Sequence, residues 1–94
     1  MIERRPWGYF QKYIDLKLFW IKKLVVNPHE KLSLQKHKHR VEIWKFPDKF
    51  KFINVGELHR LENNSDEQIA VWEIALGWCD ENDITRVEDK YNRK

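Results

Sequence analysis

Ninety-four residues are enough for one compact domain with a modest core and are expected to leave no room for a second, and no Gly-rich phosphate loop occurs. A hydrophobic fraction of 41%, with five Trp, five Phe and three Tyr, sets a folded chain against the 35% of charged side chains. The net charge of +3 hides an asymmetry, because residues 1–56 hold thirteen Lys and Arg against five Asp and Glu, whereas residues 57–94 hold five against ten. The lysines are spread over several strand-like runs and no recognition motif accompanies them, so a nucleic-acid partner is not expected.

After Arg5-Pro6-Trp7-Gly8, residues 9–14 and 17–26 are rich in β-branched and aromatic side chains and carry no helix start signal, which predicts two strands. Asn27-Pro28-His29-Glu30 turns the chain. Residues 32–39 read as a third strand on which Ser33, Gln35, His37 and His39 share one face. Past a turn at Arg40, residues 42–46 form a partner strand able to bring the Glu42 carboxylate beside the imidazoles. Pro47-Asp48-Lys49 is a short connector. Gly56 suits a tight turn, and Asn63 suits a loop in which its amide bonds the neighbouring backbone. Residues 68–76 alternate cleanly as a further strand, and residues 83–91 are expected to form a helical turn or an ordered tail, with residues 92–94 frayed. Trp20, Trp44 and Trp72 lie within strand runs and are expected in the core, while Trp7 is placed to cover the mouth of the fold. Cys79, the one cysteine, excludes an internal disulfide, and no apolar stretch resembles a signal peptide or membrane span, so a cytoplasmic location is expected.

Two motifs carry the chemistry. The first is His37-Lys38-His39 followed by Glu42; the second is Gly56-x-x-His59-x-x-x-Asn63. Together they resemble the paired motifs of the cupin superfamily, with Asn54 where proline is usual. Arg5-Pro6-Trp7-Gly8-Tyr9, Leu32-Ser33-Leu34-Gln35, His59-Arg60-Leu61-Glu62-Asn63 and residues 83–91 are similar to segments of the cupin domain of type II mannose-6-phosphate isomerases, which is often fused to a mannose-1-phosphate guanylyltransferase. His29 stands where that family commonly has glycine. The middle departs from the family: about fifteen residues, the size of a strand hairpin, are absent between the motifs.

The resemblance implies an all-β fold over residues 1–94, a shortened cupin of jelly-roll type built as a barrel or sandwich. A missing hairpin leaves an open edge, and exposed edges recruit strands, so a homodimer with strands shared across a two-fold is expected to complete the fold. It also implies a divalent transition metal, Zn, Mn, Fe or Ni, held by His37, His39, Glu42 and His59. Gln35 is a spare ligand or substrate contact, and Arg86, with Arg60 and Arg40, is a candidate for a substrate phosphate. The implied activity is interconversion of mannose 6-phosphate and fructose 6-phosphate, with no base assignable from the sequence. A non-catalytic metal- or sugar-binding module, or another metal-cupin enzyme such as an iron oxygenase, are the alternatives.

Overall fold

A computed structural model describes residues 2–89, and all of its regular structure there is β. Eight strands follow in chain order: β1 (Ile2–Arg5), β2 (Gly8–Asp15), β3 (Phe19–Val26), β4 (Leu34–Lys36), β5 (Arg40–Lys45), β6 (Phe50–Ile53), β7 (Ile69–Gly77) and β8 (Thr85–Glu88). Six of them make one antiparallel sheet in the order β1-β2-β3-β7-β5-β6. Strands β4 and β8 pair as a smaller layer, which bridges Gln35 to His59 and Lys31 to Glu62 extend.

The alternation of β3 explains how the layers meet. Trp20, Lys22, Leu24 and Val26 turn inward and are buried, as the sequence pattern predicts. They meet Phe10 from β2, Val71 from β7 and Trp44 and Ile53 from β5 and β6, and Leu61 closes this core with Leu32 from the opposite layer. Burial of these large side chains is the main stabilising term. Trp7 belongs to the same core at 4% exposure. Trp72 does not: it sits on the outer face of the sheet, 37% exposed, because it alternates with the inward Val71 and Glu73.

Several expectations are corrected. Residues 32–39 do not form one continuous strand, since β4 ends at Lys36 and the chain bends at Lys38 and His39. Both oxygens of the Asp83 carboxylate hold that bend, accepting from the Lys38 and His39 backbone amides at 2.9 Å each. The bend carries the chain from one layer to the other, so β5 joins the large sheet between β7 and β6 instead of pairing back on β4. The shortened connection after Glu42 becomes a tight hairpin, with Phe46 N donating to Lys49 O, and leaves β6 as an open edge. Thr85–Glu88 is a strand paired on β4 and not a helical turn. The expected frayed end, residues 92–94, and Tyr91 lie outside the described residues.

Two loop residues fix the second motif. Asn63, 2% exposed, donates through Nδ2 to the carbonyls of Val26 (2.9 Å), Asn27 (3.1 Å) and Glu67 (2.7 Å), and its Oδ1 accepts from Ser65. His29 adopts φ +57°, in the left-handed region that glycine favours.

Candidate metal centre

The inward face of β5 carries Arg40, Glu42 and Trp44, all buried. His37 arrives from the bend before it and His59 from the bridge opposite Gln35. His37 Nε2 lies 3.4 Å from Glu42 Oε2, and His59 Nε2 lies 3.7 Å from Glu42 Oε1. Each imidazole is turned by a backbone carbonyl: His37 Nδ1 donates to Asp83 O (2.6 Å) and His59 Nδ1 to Glu57 O (2.9 Å). With the proton fixed on Nδ1, both Nε2 lone pairs point into the cleft, the arrangement by which second-layer carbonyls prepare histidine for a metal.

Electrostatics keeps both Nε2 atoms unprotonated, and that of His37 accepts from Arg40 Nη2 at 3.3 Å. Burial and then the Arg40 guanidinium push the His37 imidazolium down to about 4, and burial likewise lowers His59. Both rings are therefore neutral near pH 7. His59 Nε2 is buried with no hydrogen-bond partner, a cost a folded chain rarely leaves uncompensated. Two ligands each about 2 Å from a tetrahedral ion stand roughly 3.4 Å apart, and the two spacings above are close to that. His37, Glu42 and His59 thus fit a divalent transition ion.

The structure brings together three of the four expected ligands. His39 is exposed and turned away, because the Lys38-His39 bend breaks the alternation that put it beside His37. Arg40 takes the inward place instead. Its Nε donates to Glu42 Oε2 at 2.9 Å, Nη1 donates to Asp80 O at 2.8 Å, and Nη2 stands 3.3 Å from His37 Nε2. Arg40 is therefore committed to the ligand cluster and is poorly placed as a free phosphate holder. Gln35 and Arg86 both line the cleft, while Arg60 is drawn away to Glu88 and Leu32.

Glu73 is the residue that sequence reasoning missed. It projects inward from the middle of β7, with its carboxylate accepting from Trp20 Nε1 (2.8 Å) and Trp44 Nε1 (3.3 Å). Burial, then the nearby Glu42 charge, push it up to about 7. The available signal was a lone carboxylate at the inward parity of an otherwise apolar run. Lys22, also buried, packs its ammonium on the Trp20 ring and pairs with Glu81, completing a polar cleft of about 120 Å³.

Comparison with known proteins shows what the chain is similar to. Residues 2–46 match the family described as Mannose-6-phosphate isomerase C-terminal, a stretch that ends where the shortened connection begins. That stretch is just under half of the chain, whose first half is thus similar to the mannose-6-phosphate isomerase C-terminal domain. The chain is 31% identical over 107 aligned positions to the xanthan biosynthesis protein XanB of Xanthomonas campestris, covering 95% of this chain and 23% of that protein. It is 29% identical to the mannose-1-phosphate guanylyltransferase ManC of Salmonella typhimurium, covering 95% and 22%. The chain thus spans under a quarter of these relatives' length. The 107 aligned positions hold about 89 of its residues (95% of 94), so about 18 have no counterpart here, in keeping with a shortened cupin. In fold it resembles the capsular polysaccharide assembling protein CapF of Staphylococcus aureus, with TM-score 0.75 at 17% identity over 94% of this chain and 32% of that one. Among the described residues no helix is long and apolar enough to cross a membrane.

Proposed function

We propose that this cupin holds a divalent transition metal on His37, Glu42 and His59 and acts on a sugar phosphate as a mannose-6-phosphate isomerase. The observation that carries this reading is the convergence of two buried, neutral imidazole Nε2 atoms and one carboxylate, each ring already oriented through Nδ1. A bound ion of this kind supplies Lewis-acid polarisation of a carbonyl oxygen. Glu73, whose carboxyl is poised near neutrality on the same cleft, gives and takes the proton that moves between adjacent carbons in an aldose–ketose exchange. Arg86 lines the cleft with positive charge and holds the anionic end of the substrate, and Gln35 orients its hydroxyls. The family match and the names of the relatives support this substrate class.

The cleft volume favours a second reading. At about 120 Å³ it is well below the roughly 300 Å³ at which ordinary ligand pockets begin, so a module that binds metal or a small sugar without turnover is the alternative. The two separate in one assay. Metal-loaded chain is incubated with mannose 6-phosphate under anaerobic conditions and fructose 6-phosphate is measured. Product formation that Glu73→Gln lowers by at least tenfold supports the isomerase. Metal retention without product, in wild type and variant alike, selects the binding module.

A further inference from the structure

The outer face of the large sheet is apolar across five strands. Cross-strand register sets Ile14, Ile21, Ile74, Ile43 and Phe52 in one uninterrupted row from β2 to β6. Phe19, Leu76 and Val41 form the row on one side. On the other side stand Gln11, Lys23, Trp72, Lys45 and Phe50, with the Tyr13 ring 5.0 Å from that of Trp72. No carboxylate occupies any of these positions. Phe52 and Leu76 remain 54% and 43% exposed, since the core and the smaller layer both lie against the opposite face.

A solvated antiparallel sheet ordinarily alternates to polar side chains on its wet face, whereas here two of the three rows are wholly apolar. Five strands about 4.8 Å apart, and three rows of side chains each about 6.6 Å along the strand, cover roughly 450 Å² in plan. Side-chain relief raises the accessible area to on the order of 700 Å², beyond the scattered apolar surface of a monomer and close to the ~800 Å² each partner gives a standard interface.

We propose that this face is the contact surface between two copies of the chain, packed sheet on sheet about a two-fold axis. The order of its rows fits a second copy. An axis along the isoleucine row lays that row on itself and exchanges the flanking rows, so Lys23 meets the Phe19-Leu76-Val41 row of the other copy and not its own equivalent. Lys45 brings no repulsion, because its ammonium is turned back onto the carbonyls of Phe46 and Pro47. The contact is therefore through the face and not through shared strands; β1 already pairs with β2 inside the chain.

Sedimentation equilibrium of the 94-residue chain, with Ile74→Glu and Phe52→Glu beside it, tests this directly. The wild type is expected to be a dimer at micromolar concentration. Each variant puts like charges on the axis and is expected to raise the dissociation constant at least a hundredfold, with an unchanged far-ultraviolet circular dichroism spectrum. A wild type that stays monomeric to 100 times that concentration overturns the proposal. So does a dimer that survives the substitutions, since edge pairing uses backbone groups that neither substitution touches. If Ile74→Glu fails to fold, Phe52→Glu, on a side chain already half exposed, decides on the same criterion.

Discussion

The Arg40–Glu42 pair gives a double-mutant cycle whose outcome the geometry fixes. Both side chains are almost fully buried, the bond between them is 2.9 Å, and Glu42 Oε1 also accepts from Trp44 Nε1 at 3.2 Å. Glu42→Leu leaves a guanidinium in the core with only neutral partners at hand, the Asp80 carbonyl, His37 Nε2 and the Trp20 ring. Arg40→Met leaves the carboxylate with a single neutral donor, and that carboxylate already raises its neighbour Glu73 by repulsion. Breaking a buried pair in this way costs about 3–5 kcal/mol, whereas replacing both members with apolar side chains of similar volume is close to neutral. The metal-free double variant is therefore expected within about 1 kcal/mol of wild type, so single losses of about 3 kcal/mol or more each give a coupling energy of at least roughly 5 kcal/mol between the sites. Urea unfolding of the four metal-free proteins measures it. Single-variant losses that simply add in the double variant would refute the claim that each side chain compensates the other's buried charge.

Asn63→Ala is expected to cost about 3 kcal/mol in the same experiment, because it removes donors from three backbone carbonyls at once. Gly77→Ala is expected to cost more than Gly56→Ala. Both have positive φ, but a Cβ on Gly77 would stand 2.5 Å from the His39 carbonyl oxygen whereas one on Gly56 meets nothing, and thermal unfolding ranks the two. For pH, His37 titrates at about 4 in the folded chain against an ordinary 6.5, so the unfolded state binds more protons between those values. Its contribution to stability is thus present above pH 6.5 and falls as the pH drops through 4, by about 3 kcal/mol in all. Glu73, raised to about 7, has the opposite sign, stabilising below its ordinary 4.5 and losing that contribution as the pH rises to 7. Urea titrations of metal-free Glu73→Gln are therefore expected to show a steeper loss of stability on acidification between pH 6.5 and 4 than wild type does.

The strands of the large sheet were legible because their periodicity is strong: the parity of Trp20, Lys22, Leu24 and Val26 is the parity observed. The second motif was legible because Gly56, His59 and Asn63 each answer to a backbone need at a fixed spacing. His39 was not. Its exclusion depends on the Asp83 carboxylate, distant in sequence, capturing two amides and bending the strand, and no local pattern announces that. The same bend turned Arg40 inward, so a cation read as a surface or phosphate residue became part of the ligand cluster. Trp72 was misplaced for a different reason: a tryptophan in a strand run says how apolar its surroundings are, and the outer face here is apolar too.

Metal content by elemental mass spectrometry of the untagged chain, measured after incubation with Zn, Mn, Fe or Ni and removal of excess ion, tests the central claim most directly. Three single variants, His37→Ala, His59→Ala and His39→Ala, are carried alongside. Near-stoichiometric metal in the wild type, lost in the first two and retained in His39→Ala, is the result the geometry predicts. Absence of bound metal from the wild type, or its retention in both His37→Ala and His59→Ala, would contradict it.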